Sequence, residues 1–65
     1  MSGQGIVKTK RGDTFEGRYE IAENGWVRFT GALITVTVQG KITRATSTRL
    51  WPRERIEWIR DGGAL

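Results

Sequence analysis

The chain contains no cysteine and no histidine, and it has a single proline among its 65 residues. The absence of cysteine excludes disulfide bonds, and the joint absence of cysteine and histidine excludes the usual zinc sites. No imidazole base and no thiol nucleophile are present either. We therefore expect a protein that is not an enzyme and that uses no metal and no cofactor.

Long apolar runs are also missing. The longest uncharged stretch, Phe29 to Gly40, has twelve residues, whereas a membrane-spanning helix needs ~20 apolar residues. The first residues lack the basic and then apolar layout of a secretory signal. These features predict a soluble, cytoplasmic protein that does not bind membranes.

The small size of the chain limits how its fold can be stabilised. A chain of 7.3 kDa forms one small domain, and such a domain buries only about 60% of its extended surface. Disulfides and zinc are excluded here, which leaves tight packing or self-association. The stretch from Phe29 to Gly40 would be an aggregation hazard on an exposed edge, so it must be central in a sheet or paired with another subunit. We expect a homo-oligomer.

Residues that favour β-structure dominate the composition. Thr, Ile, Val and the aromatic residues number 24, whereas Ala and Leu together number seven. Glycines at positions 12, 17, 25, 31 and 40 supply turn signals at intervals of five to nine residues, which is typical of a small sandwich or barrel. We predict one all-β domain over residues 6–60, with flexible ends at residues 1–5 and 61–65.

The alternation of apolar and polar residues predicts the strands. It is clearest over residues 14–21, where Phe15, Tyr19 and Ile21 share a face and Gly17 indicates a bend or a close backbone approach. Gly31 is expected to break the chain between two later strands. The predicted strands are residues 6–10, 14–21, 26–30, 33–39 and 41–50.

A tight turn is predicted at Asn24-Gly25, the strongest short hairpin signal in the chain. After this turn, Val27 and Phe29 are expected to face inward. Trp26 is then on the outer face, where it could stack on a nucleic-acid base or lie in a subunit interface.

The segment from Trp51 to Arg60 has two interpretations. Pro52 could open a helix that ends at Gly62. Alternatively, residues 52–55 form one 3₁₀ turn that leads into a short strand over residues 56–60. The second interpretation agrees better with the β-rich composition of the rest of the chain.

The order of these elements resembles the Sm-like proteins, the group that includes Hfq. The resemblance depends on KTKRGDTFEGRYEIAENGWVRF, in which a turn glycine, an apolar residue, a Gly-x-apolar step and an acidic residue occur at matching spacings. The ending LWPRERIEWI is similar to the Sm-like ending, where a short turn precedes the last strand. The matching positions are Gly12, Phe15, Gly17, Tyr19 and Glu23.

This resemblance implies a small SH3-like or Sm-like barrel of five or six strands, with a short 3₁₀ turn or helix near the C-terminus. It also implies a ring-shaped homo-oligomer. The family's uridine pocket is not implied, because position 27 is Val where the family carries an Asn that binds RNA. The basic signature that the family carries near its last turn is absent as well.

Positive charge is concentrated in the second half of the chain. Residues 41–60 contain six Lys or Arg and two Glu, whereas residues 1–40 contain five and four. Arginine neutralises phosphate, and aromatic rings stack on unpaired bases. The candidate nucleic-acid-binding residues are therefore Lys41, Arg44, Arg49, Trp51, Arg53, Arg55, Trp26 and Arg28.

Two functions remain open at this point. The first is a non-catalytic module that binds RNA or DNA through the Arg/Trp-rich C-terminal half. The second is a protein-interaction or assembly module of a regulatory or phage type, in which the same segment forms an interface. A third interpretation has no function attached, with the tryptophans in the core and the charges on the solvated surface.

Overall fold

The computed structural model describes residues 1–62 and contains five antiparallel strands in one open sheet. The predicted all-β fold is thereby confirmed, whereas closure of the sheet into a barrel is not observed. The strand order is β4-β3-β2-β1-β5. The elements are β1 (Ser2–Thr9), β2 (Thr14–Ile21), β3 (Val27–Val36), β4 (Ile42–Trp51), a 3₁₀ turn (Arg53–Arg55) and β5 (Ile56–Asp61).

The prediction for residues 14–21 is confirmed, as is the turn at Asn24-Gly25. β2 has the predicted bounds, and the turn is closed by the N–H of Ala22, which donates to Trp26 O at 2.9 Å. The interpretation of residues 52–60 as a 3₁₀ turn followed by a strand is also confirmed. None of the helical structure in residues 1–62 has the length and hydropathy needed to cross a membrane.

Several strand boundaries differ from the prediction: β1 ends at Thr9 and not at residue 10, β3 ends at Val36 and not at residue 39, and β4 covers Ile42–Trp51 and not residues 41–50. β1 begins at Ser2 rather than residue 6, because Ser2 and Gly3 pair with the end of β2 and need no apolar pattern to do so. The predicted flexible end at 61–65 extends past the described residues, and its first residue, Asp61, ends β5.

The predicted break at Gly31 is wrong. β3 runs through it without interruption, so the third and fourth predicted strands are one strand. Gly31 lies directly opposite Gly17, and a Cβ built on Gly31 would lie 2.7 Å from the Cα of Gly17. The two glycines therefore allow β2 and β3 to approach closely, and the predicted close approach at Gly17 is confirmed.

The main core cluster lies on one face of the sheet and is built by alternate residues of the strands. Phe29 and Val27 are fully buried, and Phe15 and Tyr19 are buried beside them, as their alternation predicts. Val7 and Ile56 complete the core cluster, and Ile21, Leu33, Trp51 and Ile59 pack against it. On the opposite face the register places Ile6 and Ile34, which are also buried, together with Glu16 and Arg60.

The connection from β4 to β5 requires the sheet to curve strongly. Trp51 lies opposite Val27 at one end of the sheet, and Ile56 lies opposite Thr9 at the other end and on the other edge. In a flat sheet these two residues would be about 30 Å apart. Five residue steps reach at most about 18 Å, so the two corners must fold toward each other.

The outer part of the β3–β4 hairpin extends away from this curved sheet. Every residue from 35 to 46 is exposed, and the longest dimension of the molecule is 40 Å against 20 and 18 Å for the other two. We call residues 35–46 the arm and the curved, core-containing remainder of the sheet the body.

Candidate functional site

A basic cleft of about 250 Å³ lies where the two folded corners of the sheet meet. One wall is the turn between β1 and β2, another is the end of β4, and the third is the 3₁₀ turn. These three segments are distant in the sequence, so the cleft exists only because the sheet is curved. The cleft is lined by Thr9, Lys10, Arg11, Asp13, Phe15, Arg49, Trp51 and Arg55.

Aromatic rings form the floor of the cleft. The rings of Phe15 and Trp51 have centroids 4.9 Å apart, although the register separates their rows by six residues along β3. A straight strand would place those rows about 20 Å apart. Phe29, fully buried, supports both rings from below at 5.3 and 6.0 Å. Trp51 is only half-buried, so part of its ring remains accessible from the cleft.

The turn that carries Lys10 and Arg11 is braced by hydrogen bonds. The N–H of Thr9 donates to Asp13 O at 3.0 Å, and the N–H of Asp13 donates to the buried Thr9 Oγ1 at 3.2 Å. The N–H of Lys10 donates to Arg55 O at 3.0 Å, which ties this turn to the 3₁₀ turn. The backbone that carries three of the four cations is therefore held in place before any ligand binds.

Arg49 enters the cleft from β4. Its guanidinium carbon lies 6.0 Å from the centroid of the Phe15 ring, and its Nε donates to Ser47 Oγ at 2.9 Å. Contact with an aromatic face orients the planar guanidinium and leaves its other N–H groups able to donate to an anion.

The lining of the cleft carries an excess of positive charge. Four cationic side chains and one carboxylate, Asp13, line it. Within residues 1–62, no group of three or more acidic side chains is arranged as metal ligands. The chemistry of the cleft is therefore that of an anion site with an aromatic floor.

The structure brings three of the predicted site residues together in the cleft, namely Arg49, Trp51 and Arg55. Lys41 and Arg44 lie on the arm instead, and Arg44 Nη1 donates to Glu16 Oε1 at 2.5 Å across the sheet. These two residues are too far along the hairpin to share a site with the cleft.

The remaining three predicted residues surround the turn between β2 and β3 and the start of the 3₁₀ turn. Trp26 is 41% exposed, which confirms its predicted outward position. Arg28 lies opposite Leu50 on the face away from the core. Arg53 Nη1 donates to Ile56 O at 3.1 Å, which commits part of its guanidinium to the backbone.

Sequence reasoning missed Lys10 and Arg11. The sequence does contain a signal, because KTKRGD places three cations within four positions next to a turn glycine. Their connection to Arg49 and Arg55, about forty residues later, follows from the curvature of the sheet and not from any local pattern.

Comparison of the chain with protein-family models, with curated proteins and with solved structures found no match, so the case for its function depends on the geometry of the cleft.

Proposed function

We propose that this chain is a small, non-catalytic nucleic-acid-binding module and that the basic cleft is its contact site. The observation that carries the proposal is the arrangement of Lys10, Arg11, Arg49 and Arg55 around the accessible part of the Trp51 ring. Such cations neutralise phosphates, and an aromatic face stacks on a base. Both parts of a nucleotide therefore find a complementary group within one small site.

The dimensions of the cleft favour a single-stranded segment of RNA or DNA. Sites for whole small molecules have volumes of about 300–1,000 Å³, and a cleft of about 250 Å³ is sufficient for one base with its adjoining phosphates. Trp51 is half-buried among the cations of the cleft. Stacking on such a ring requires a base with a free face, as in proteins that bind single strands.

The curvature of the body supports the finer proposal that the domain is a small SH3-like or Sm-like barrel with an open seam between β4 and β5. The strand order begins with β4 and ends with β5, and a single 3₁₀ turn connects these two outer strands. Partly open barrels are a common solution for small antiparallel domains.

The proposal is tested by fluorescence anisotropy with labelled single-stranded RNA, single-stranded DNA and duplex DNA between about 50 and 200 mM salt. We expect the single strands to bind more tightly than the duplex. If the four cations each contact a phosphate, the logarithm of the binding constant should fall against the logarithm of salt with a slope near −3.

A pair of double variants localises the site. Arg49→Ala with Arg55→Ala removes two cations of the cleft, and we expect binding at least about tenfold weaker and a slope reduced by about half. Arg28→Ala with Lys41→Ala removes the same charge outside the cleft and should leave the slope close to that of the original protein.

Three outcomes would contradict the proposal. Equal losses in the two double variants would show that binding follows total charge and not the cleft. The absence of binding to all three nucleic acids at about 50 mM salt would overturn nucleic-acid binding altogether. Tighter binding of a glutamate-rich peptide than of any oligonucleotide would favour the protein-interaction function instead.

A further inference from the structure

The outer edge of β4 has no partner strand within the described chain. β4 is the first strand in the sheet order, and β3 is its only neighbour there. The strand is ten residues long, and eight of its residues are exposed. A long exposed edge presents a row of unpaired N–H and C=O groups that can pair with another strand.

The hydrogen-bond pattern of the hairpin identifies which groups point outward. The N–H of Thr37 donates to Lys41 O at 2.9 Å, so this pair is a hydrogen-bonded pair of the antiparallel ladder. Such pairs alternate with non-hydrogen-bonded pairs, and the register continues without a shift from Val36↔Ile42 to Val27↔Trp51. The even-numbered residues of β4 therefore direct their backbone groups away from β3.

The same even-numbered set carries exposed apolar side chains near both ends of the strand. Ile42 is 52% exposed and Leu50 is 59% exposed. Val36, opposite Ile42 on β3, is 62% exposed and lies on the same face. These are three of the six large hydrophobic residues that the described part of the chain leaves exposed.

We propose that two copies of this chain form a dimer in which the β4 edges pair antiparallel about a two-fold axis at Thr46. In this register Ile42 lies opposite Leu50 of the partner subunit, and the two-fold axis places Leu50 opposite Ile42 of the partner subunit. Arg44 lies opposite Thr48 of the partner subunit, so no like charges face each other. At every hydrogen-bonded position, the outward backbone N–H and C=O groups of one copy face those of the other copy.

Other registers are less favourable. In an antiparallel pair, residues whose backbone groups point outward must lie opposite one another. The alternative registers therefore differ by shifts of two residues along the partner strand. A shift of the partner strand by two residues in one direction places Ile42 opposite Thr48 of the partner subunit. The same shift in the other direction places Arg44 opposite Leu50 of the partner subunit. Two such shifts in the first direction centre the axis on Arg44 and set two arginines directly against each other. Among these registers, only the one centred on Thr46 pairs the exposed apolar residues Ile42 and Leu50.

The resulting contact is large enough for a specific, reversible dimer. Residues 42–50 would supply five hydrogen-bonded residue pairs with two bonds each, or about ten backbone hydrogen bonds, which is typical of specific protein interfaces. On the outer face, Val36, Ile42 and Leu50 of the partner subunit would form an apolar row across three strands. Cross-strand apolar rows of this kind stabilise sheets.

The dimer would also relate the two basic clefts. A two-fold axis through a hydrogen-bonded antiparallel pair is perpendicular to the sheet, so it leaves the core-side faces of both copies on the same side. Phe15, Arg49 and Trp51 belong to that face. One single strand could then occupy both clefts, which raises the effective concentration of the second contact. This consequence depends on the proposed function, but dimerisation does not.

The proposal is tested by sedimentation equilibrium on the full chain from about 5 to 500 µM, without nucleic acid. We expect a mass that rises from 7.3 kDa to twice that value. Thr46→Pro removes an outward N–H and leaves the ladder to β3 intact, so proline is tolerated there. It should weaken dimerisation at least about tenfold, whereas Thr46→Ala, which retains the N–H, should dimerise almost as well as the original chain. Circular dichroism confirms that each variant is folded.

A charge exchange tests the register and does not depend on proline. Ile42→Lys and Leu50→Glu should each weaken dimerisation about tenfold, because each removes two apolar pairs. The double variant places opposite charges across both pairs and should recover most of the lost affinity. Amide hydrogen exchange should show, at high concentration only, protection of the even-numbered residues of β4.

Several results would overturn the proposal. A mass that stays at 7.3 kDa at about 500 µM would show that the chain does not dimerise. A folded Thr46→Pro variant that dimerises normally would show that the β4 edge is not the contact. A charge-exchange double variant no better than its parents would exclude the Thr46 register. Masses well above a dimer would show that β4 pairs with β5 of a neighbouring copy, which produces rings or open arrays.

Discussion

The body and the arm of this molecule share strand β3, but the apolar residues of the two regions differ in burial. β3 runs from Val27 to Val36, and its large apolar residues change from odd to even positions after Leu33. Its first half places Val27 and Phe29 in the core with no exposed surface. Its last residue, Val36, is 62% exposed, and Val38, two residues further along the chain, is fully exposed.

This difference arises from what covers each half. In the body, the curved sheet folds over its own core-side face, so apolar residues there are buried by residues distant in sequence. Val36 in the arm lies on the opposite face from Val27 and Phe29 and beyond the reach of that curvature, so it meets solvent. A period of two predicts which residues share a face, and it says nothing about what covers the face. In the arm, the proposed cover is a second copy of the chain.

The largest expected effect comes from truncation of the buried aromatic residue of β3. Phe29→Ala should lower the free energy of unfolding by about 3–5 kcal/mol, because the ring is fully buried and contacts both Phe15 and Trp51. Val38→Ala in the arm should change it by less than about 0.5 kcal/mol. Urea unfolding followed by tryptophan fluorescence measures both values. Similar losses in the two variants would mean that the arm is packed in solution.

An intermediate effect is expected where β2 and β3 approach each other. Gly31→Ala should cost about 3 kcal/mol, because its Cβ would collide with the backbone of Glu16 and Gly17. Gly40→Ala, at the end of the arm, meets no atom within 4 Å and should cost only about 1–2 kcal/mol for its positive φ. If Gly31→Ala unfolded at the same urea concentration as the original chain, the close approach of β2 and β3 at Gly31 would not contribute to stability.

The smallest expected effect is the loss of a hydrogen bond that closes the body. The Tyr19 hydroxyl donates to Asp61 Oδ1 at 3.0 Å. Burial and then the neighbouring Asp61 carboxylate raise the pKa of Tyr19 above its usual value of 10.0. Since the raised pKa favours the neutral phenol in the folded state, its contribution is complete below pH 10 and disappears as pH rises through the folded pKa.

Tyr19→Phe should therefore reduce stability at neutral pH and flatten the fall in stability above pH 10. Because Tyr19 is the only tyrosine, its absorbance change with pH measures its ionisation directly. Lysines titrate in the same range in both proteins, so the difference between the two profiles isolates Tyr19. Parallel profiles would show that the hydrogen bond to Asp61 does not form in solution.

The site could be predicted from the sequence only in part. Arg49, Trp51 and Arg55 were candidates because they lie in one basic, tryptophan-containing segment, and all three line the cleft. Lys41 and Arg44 belong to the same charged segment but lie on the arm. Lys10 and Arg11 lie in a different segment and reach the cleft through the Lys10–Arg55 backbone hydrogen bond. Proximity in sequence is a poor guide to proximity across a curved sheet.

The sequence by itself determined the β-class, the bounds of β2, the turn at Asn24-Gly25, and the inward faces of Phe15, Tyr19, Val27 and Phe29. These properties depend on local backbone preference and on the alternation of apolar and polar residues, both of which involve only residues close together in the sequence. The continuity of β3 through Gly31, the contact between Phe15 and Trp51, and the basic cleft were decided only by the tertiary structure. The continuity of β3 depends on Gly17 facing Gly31 across the β2–β3 pair. The aromatic contact and the cleft require the sheet to curve until strands that are distant in the chain meet, and the connection between β4 and β5 imposes that curvature on the whole body.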